Sequence, residues 1–445
     1  MKSIHARTMH TRVRFALLLV LAVELGAIVR LAPTLQADFP LSDGGLFYTM
    51  IEEIRGSGYA LPWHTAYNRD GIPFAYPPLP FYLVAALSDV FAWHVLDILR
   101  LLPATVSVLC IGAVYLLGSR LLGSGSQAAL AVMAFGLIPR SFMWHIMGGG
   151  LTRSVGFLFS LLMLTQVHRL YTTAHRRYLV SAATLGALTL LSHPEKAWCS
   201  VYSAALMLAF FGRSRRAVRD SLLVAAGSAV LSSPWWGTVL ARHGVWPFLA
   251  AAKTGGYTWV SVVRLTTFSF GEGLFAGVLP AMGFLGFFLS IGAGKWFLPA
   301  WLVSVFALSP RTALTYGAVP LALLASTAID RSLALVREAT TARATRLRNG
   351  SAEIGTWPKW SRADMVAAAA IGCLALNGFV TALRAPLEIR SPLDALGRDE
   401  REAMRWVVES TETEARFLVI SFSEGWETDE VGEWFPALSE RSNVL

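Results

Sequence analysis

The stretch FALLLVLAVELGAIVRLAPTLQADFPLSDGGLFY, residues 15–48, holds the two features that decide the fold of this chain. Its first part, to about residue 33, is apolar and long enough to cross a bilayer, which takes roughly 20 helical residues. It is too long for the core of a signal peptide, and no small-residue cleavage site follows it. We therefore predict a first membrane span, followed within a few residues by a carboxylate at Asp43.

The composition of the whole chain agrees with a membrane protein. Of its 445 residues, 54% are hydrophobic and only 15% are charged, whereas ordinary soluble domains have about a quarter charged residues. The three cysteines all fall in apolar segments, which argues against a disulfide framework, a metal cluster or a redox motif. The net charge of +9 comes largely from arginines in short loops between spans, so no nucleic-acid partner is predicted.

Further apolar segments follow the first span along the chain. Together they predict a mainly α, polytopic transmembrane helix bundle of about eleven spans. The segments are 15–34, 99–117, 127–139, 154–167, 179–192, 197–211, 221–233, 273–292, 296–309, 313–329 and 364–383. One additional segment, Leu79 to Trp93, either spans as well or remains in the outer leaflet as a re-entrant or surface helix.

Loop charge decides between these two topologies. If residues 79–93 do not span, the loops on the inner side carry 20 Lys and Arg and those on the outer side carry 9. Because positive residues concentrate in cytoplasmic loops, this topology is favoured and the N-terminus is inside. Residues 1–383 are then predicted to form the transmembrane domain, with a large first outer loop.

Residues 384–445 change composition abruptly, with 14 acidic against 7 basic residues, and are predicted to form an extracytoplasmic α/β segment. The sequence GRDEREAMRWVVEST has the spacing of an amphipathic helix, and ARFLVIS reads as a short strand. Since one helix and one unpaired strand cannot make a core, we expect this domain to be incomplete.

Asp43 lies in LSDGGLFYTMIEEI, where its carboxylate has three possible roles. It can act as a general base on an acceptor hydroxyl, or it can ligate a hard metal ion. It also precedes a helical run, where Asp is favoured as an N-cap because its side chain binds free backbone amides. The sequence leaves these roles open.

The sequence MGGGLTRS contains a candidate anion site. Gly149 and Gly150 precede a helix expected to begin near Thr152, so their amides are predicted to be free at a positive helix end. Arg153 in the first turn is unfavourable there unless an anion is near, which favours a phosphate-binding role. The alternative is a flexible hairpin between spans.

The stretch LSHPEKAW interrupts an apolar run with His193, Glu195 and Lys196. A tight turn explains its proline, but ionisable residues beside the membrane more often mark a functional site. Counting spans places this turn on the same side as Asp43 and Arg153. The entry IPFAYPPLPFYL reads first as a structural corner, although Tyr76 is a candidate for lining a cleft.

Together these features resemble the GT-C superfamily of integral membrane glycosyltransferases, which includes protein O-mannosyltransferases, aminoarabinose transferases and the catalytic subunit of oligosaccharyltransferase. The resemblance rests on SDGGLFY after the first span, the YPPL entry to a helix and the glycine-rich GGGLTRS loop. SHPEKAW, SPWWGTVLARHG and EWFPALSER are similar to elements of bacterial members of unknown specificity. The resemblance covers most of the chain.

The resemblance implies transfer of a hexosyl or pentosyl group from a polyprenyl-phosphate donor to a glycan, lipid or protein acceptor. Transfer would take place on the extracytoplasmic face of the plasma membrane, among its lipids. It implies Asp43 as the catalytic base and several groups around it. His193, Glu195, Tyr76 and His145 are the supporting candidates, and Arg153, Gly149, Gly150, Arg311 and Arg264 are the donor-phosphate candidates.

The resemblance leaves metal use open. GGGLTRS lacks the acidic pair that the oligosaccharyltransferase subunit has in its second outer loop, so no cofactor is certain. Asp43 and Glu195 are the candidate ligands for a divalent cation, Mg²⁺ or Mn²⁺. Two other classes of function remain possible: a transporter or flippase of a lipid-linked anionic substrate, and a non-catalytic membrane assembly subunit.

Overall fold

The computed structural model describes residues 2–253, 277–347, 362–384, 393–421 and 429–444. The N-terminal half begins with the long helix α1 (Lys2–Gln36), followed by α2 (Gly45–Gly56), α3 (Leu79–Phe91) and α4 (Val95–Leu121). Next come α5 (Gly125–Leu137), the short α6 (Met143–Ile146) and α7 (Gly150–Thr173). Between α2 and α3 the strands β1 (His64–Thr65) and β2 (Ile72–Pro73) pair antiparallel.

The second half continues the helical pattern. Its helices are α8 (Arg176–Leu190), α9 (Pro194–Phe211), α10 (Arg215–His243), α11 (Trp246–Lys253), α12 (Val278–Gly292), α13 (Phe297–Leu308), α14 (Ala313–Leu347) and α15 (Arg362–Arg384). The C-terminal segment adds α16 (Arg398–Ser410), β3 (Arg416–Phe417), α17 (Glu430–Ser439) and β4 (Ser442–Asn443).

The predicted helical membrane bundle is confirmed, and each of the predicted apolar segments coincides with a helix. Length and composition qualify six described helices as spans, or seven if the pair α5 and Pro139–Ile146, bent by 91°, is one broken span. The predicted count of about eleven also includes α8, α9, α12 and α13, which have 15, 18, 15 and 12 residues. A helix that crosses a bilayer alone needs roughly 20.

The interior of the bundle is made by α4, α5, α7 and α14, whose buried residues form one continuous apolar cluster. A second cluster joins α2 and α3 to the first turns of α4 and α7. The short helix α3 ends at Phe91, and its C-cap residue Ala92 adopts a left-handed conformation. At the other end of α3, the amide of Leu79 donates to Leu191 O at 3.1 Å. The proline-rich corner before α3 therefore meets the turn that contains His193.

Contrary to the expectation from the sequence, the C-terminal segment has a small core and a partner for its strand. β3 pairs in parallel with β4, close to the end of the described chain. Trp434 and Phe435 of α17 pack with Met404 and Val407 of α16 and with Phe39 from the first loop. The missing core is thus supplied partly by residues near the N-terminus. The domain boundary at residue 383 remains a prediction.

Candidate functional site

The loop that carries Asp43 is fixed by backbone hydrogen bonds on both sides. Ser42 N donates to Asp394 O at 2.7 Å, and the indole of Trp434 donates to Ser42 O at 2.7 Å. On the opposite side, the amide of Gly148 donates to Leu41 O at 2.9 Å. Ser42 itself has a positive φ of 53°. Two distant parts of the chain therefore hold this turn in a conformation it would not favour alone.

The Asp43 carboxylate makes an ion pair with Arg153. Oδ2 lies 2.9 Å from Nη2 of Arg153, and Oδ1 accepts a hydrogen bond of 3.1 Å from the amide of Gly149. Both side chains keep about a fifth of their surface accessible, 19% for Asp43 and 22% for Arg153. The guanidinium also lies over the ring of Trp144, 5.5 Å from its centroid. The pair is thus oriented but still reachable.

Asp43 is not the N-cap of α2, which was one of its three possible roles. The cap position is Gly44, with φ at 148°, and no side chain of the cap residue takes part. The Asp43 side chain is directed instead to Gly149 and Arg153. This leaves its carboxylate available for chemistry.

The amides of Gly149 and Gly150, which were predicted to be free, already donate hydrogen bonds within the chain. They are therefore not free to bind a phosphate as predicted. The amide of Gly149 donates to Asp43 O at 2.8 Å in addition to the carboxylate, and that of Gly150 donates to Met147 O at 2.9 Å. The helix α7 begins at Gly150 rather than near Thr152. The glycines allow this loop to approach the Asp43 loop closely, because a Cβ on Gly148 or Gly149 would overlap Asp43.

A second group of predicted residues lies next to this pair. The Tyr76 hydroxyl is 3.2 Å from Thr152 Oγ1 on the first turn of α7, and the Tyr76 ring meets His193 at a centroid distance of 6.4 Å. His193 is the N-cap of α9 and is buried against Gly156. Glu195 accepts a 3.0 Å hydrogen bond from Thr312. Several turns predicted on the outer face therefore converge.

The remaining predicted residues do not contact the Asp43 carboxylate in the described part of the chain. His145 is buried, stacks on Phe157 at 4.8 Å and is hydrogen-bonded through Nδ1 to Ser141 O at 3.1 Å, which gives it a packing environment. Arg311 is exposed in the turn Pro310–Thr312, next to the residue that contacts Glu195. Arg264 lies outside the described residues.

Two residues of the C-terminal segment border the Asp43 loop and were not predicted as part of the site. Glu433 Oε1 lies 3.4 Å from both the Gly44 and the Leu46 amides, and Trp434 packs on Phe39 at 4.6 Å. Burial, followed by repulsion from Asp43, raises the pKa of Glu433 from 4.5 to about 7. The only sequence signal for this contact is the aromatic cluster in EWFP, since residues 44 and 433 are far apart in the chain.

No protein-family model and no curated protein sequence matches this chain. Solved structures match over nearly its whole length. The archaeal oligosaccharyltransferase AglB from Archaeoglobus fulgidus, in complex with an inhibitory peptide and a dolichol-phosphate, superposes with a TM-score of 0.64 at 16% identity. The alignment covers 97% of this chain and 64% of AglB, so the chain spans less than two thirds of that protein's length.

Two bacterial structures give the same result. ArnT from Cupriavidus metallidurans, bound to undecaprenyl phosphate, matches with a TM-score of 0.58 at 13% identity, over 95% of this chain and 85% of ArnT. The arabinofuranosyltransferase AftD from Mycobacteria matches with a TM-score of 0.54 at 17% identity, over 92% of this chain and 29% of AftD. The chain has the fold of the GT-C membrane glycosyltransferases. With its candidate spans, this makes it a multi-pass membrane protein.

The residues around Asp43 do not fit a resident divalent cation. One AglB structure was solved with Zn and sulfate. Within the described ranges no three His, Cys, Asp or Glu side chains lie close enough together to hold a metal ion. Both Asp43 oxygens already accept hydrogen bonds, one of them from a cation that would repel a metal.

Proposed function

We propose that this protein is a glycosyltransferase that moves a sugar from a polyprenyl-phosphate carrier to an acceptor hydroxyl, with Asp43 as the base. The observation that carries the proposal is the Asp43–Arg153 pair, 2.9 Å apart and partly accessible, in a chain with the GT-C fold. A carboxylate and a guanidinium side by side supply the two functions that this reaction needs: removal of a proton and stabilisation of a leaving phosphate.

In the proposed reaction the acceptor oxygen attacks the anomeric carbon of the sugar. The bond between that carbon and the phosphate oxygen breaks, and the electron pair leaves with the polyprenyl phosphate. Asp43 takes the hydroxyl proton. A phosphate leaving group is stabilised by a cation and needs little protonation, so one base is sufficient.

Arg153 is suited to contact both the base and the leaving group. A guanidinium has five N–H donors in a planar fork. Here Nη2 binds Asp43, and among the described residues Nη1 makes long contacts, 3.4 Å to Trp144 O and 3.8 Å to Met147 Sδ. The Nη1 side is therefore the place for a phosphate oxygen. The guanidinium replaces the backbone amides of Gly149 and Gly150 as the phosphate-binding group in this proposal.

The supporting candidates are assigned to the sugar or the acceptor. Thr152 directly precedes Arg153 in the sequence, and the Tyr76 hydroxyl contacts Thr152. His193 packs on the Tyr76 ring. That AglB was solved with dolichol-phosphate and ArnT with undecaprenyl phosphate supports a polyprenyl-phosphate donor. Loop charge supports an extracytoplasmic site in the plasma membrane.

The test uses the purified protein in lipid nanodiscs, supplied with undecaprenyl-phosphate-linked hexoses and pentoses and a pooled glycan acceptor mixture. The measurement is release of undecaprenyl phosphate. Asp43→Asn keeps the shape of the side chain but removes the base, so we expect a loss of about 10²-fold or more in rate. Binding of undecaprenyl phosphate alone should weaken in Arg153→Lys, which cannot form the planar fork.

The matched control is Asp97→Asn, which removes an exposed carboxylate that pairs only with its neighbour Arg100 within α4. It should keep the wild-type rate. Full transfer activity in folded Asp43→Asn protein would contradict the assigned base, and release of undecaprenyl phosphate from none of the donors would contradict the proposed activity.

A further inference from the structure

Glu433 is the charged side chain that the proposed reaction does not use and that lies against its base. It belongs to α17, in the C-terminal segment, and contacts a helix 389 residues earlier in the chain through the Gly44 amide. Glu433 Oε1 is 3.4 Å from the amides of Gly44 and Leu46. These are among the first amides of α2, which have no partner within the helix.

The backbone of Glu433 is equally close to the Asp43 loop. A Cβ on Gly45 would overlap the Glu433 carbonyl, so only glycine permits this approach. The next residue, Trp434, is wholly buried and donates to Ser42 O at 2.7 Å. The dipeptide Glu433–Trp434 thus holds the backbone on both sides of Asp43, through the residue before it and the residue after it.

The third contact of Glu433 comes from Tyr67, in the loop between β1 and β2. Its hydroxyl lies 2.7 Å from Glu433 O and 3.2 Å from Glu433 Oε2. One hydroxyl proton can complete only one of these two bonds. If the carboxyl group carries a proton, that proton completes the second bond with the Tyr67 oxygen as acceptor.

From this geometry we propose that Glu433 is a positioning residue that fixes the first turn of α2 and thereby the Asp43 carboxylate. The inference rests on the proposed function, because it gives Asp43 the role of base. Glu433 itself touches neither substrate nor reacting atoms. The groups that face it are Asp43, Tyr67 and the two amides, with no cation among the described residues in hydrogen-bond contact.

A neutral Glu433 fits these surroundings better than a charged one. Burial and the nearby Asp43 charge raise its pKa to about 7, so it is mostly protonated below that pH. Ionisation would place a second negative charge against Asp43 in a buried contact. The hold on α2 should therefore weaken as the pH rises through about 7.

The experiment compares Glu433→Gln with Glu433→Ala in nanodiscs. Gln keeps an oxygen for the two amides and is neutral at every pH, whereas Ala removes the contact. The first readout is hydrogen–deuterium exchange of peptides covering residues 41–50, which needs no substrate. We expect Glu433→Ala to lose at least about tenfold in protection there, and Glu433→Gln to keep wild-type protection at pH 6 and to retain it at pH 8.

The second readout is release of undecaprenyl phosphate from the donors used above. Glu433→Ala should lower kcat about tenfold with little change in the donor KM, and Glu433→Gln should keep the rate and lose the decline above pH 7. The control Glu52→Gln removes a half-exposed carboxylate on the same helix, paired with Arg55, and should match the wild type in both readouts.

The outcomes separate this inference from the proposed function. Unchanged exchange of residues 41–50 in Glu433→Ala overturns the positioning role even if transfer is observed. A wild-type pH dependence in Glu433→Gln overturns the assignment of the pH effect to Glu433. If no variant and no wild-type protein releases undecaprenyl phosphate, the function fails, while the exchange data still decide whether Glu433 holds α2.

Discussion

Asp43 is held in place by the small size of its neighbours. Gly148 and Gly149 allow the start of α7 to approach the Asp43 loop so closely that amide hydrogen bonds form directly to it. At Gly149 the backbone is ordinary, with φ at −69°, so glycine is needed there for space and not for conformation. This makes Gly149 a position where a single methyl group tests the geometry of the site.

We expect Gly149→Ala to displace the Asp43 carboxylate, because the added Cβ would overlap it. Transfer should fall at least about tenfold, since misplacing a catalytic group by about 1 Å already costs up to 10²-fold. Gly112→Ala is the control: a Cβ on Gly112, which lies within α4, meets nothing within 4 Å. Equal rates for the two variants, measured as undecaprenyl phosphate release, would show that the contact is not needed.

At the scale of elements, Arg30 joins the helices that support the site. Its side chain, wholly buried in α1, donates to Ser107 Oγ in α4 at 3.1 Å, to Gly136 O in α5 at 2.7 Å and to Ser141 Oγ at 2.9 Å. Its guanidinium also lies over the Phe142 ring, 4.7 Å from the centroid. These contacts fix the bend between α5 and α6, just before the glycine triplet.

Arg30→Met should therefore destabilise the bundle, because it leaves several buried acceptors without a donor. Each such group costs about 1–3 kcal/mol, which predicts a Tm several degrees lower in detergent. Arg120→Met, at the exposed end of α4, should leave the Tm unchanged. An unaltered Tm in Arg30→Met would mean that water or repacking satisfies those acceptors.

At the scale of the whole molecule, the C-terminal segment packs against the first loop through a small core, and it carries two carboxyl groups with raised pKa. Burial is the main cause for both, and it raises the pKa of Glu430 and of Glu433 from 4.5 to about 7. A carboxyl group whose pKa is higher in the folded than in the unfolded state stabilises the fold fully at pH values below its unfolded-state pKa. That contribution declines from about pH 4.5 and is lost once the pH passes 7.

We therefore expect the C-terminal segment to bind the first loop less tightly at pH 8 than at pH 5.5. Hydrogen exchange of residues 398–410, corrected for intrinsic rates, should lose at least about tenfold in protection, since both carboxyl groups ionise in this pH interval and one pKa unit corresponds to a factor of ten. The double variant Glu430→Gln and Glu433→Gln should show a much smaller change. Equal protection of the wild type at both pH values would contradict the raised pKa values.

The sequence alone determined the helical membrane bundle, since apolar segments and loop charge are local properties that a bilayer selects directly. It also singled out Asp43, which follows the first span by a few residues, and Arg153, because a cation at a helix N-terminus is unfavourable unless an anion is near. The exact span count stays open, because length and composition alone do not decide whether the shorter apolar helices cross the bilayer.

Only the tertiary structure decided what these residues contact. A helix N-terminus with an arginine indicates that an anion is near, but it does not identify the anion, and the structure shows that Asp43 is one such anion. The amides predicted to be free are used by the chain itself. The contacts of Glu433 and Trp434 with the Asp43 loop join residues almost 400 positions apart. Pairing of this kind depends on how separate elements pack, for which local sequence carries no signal.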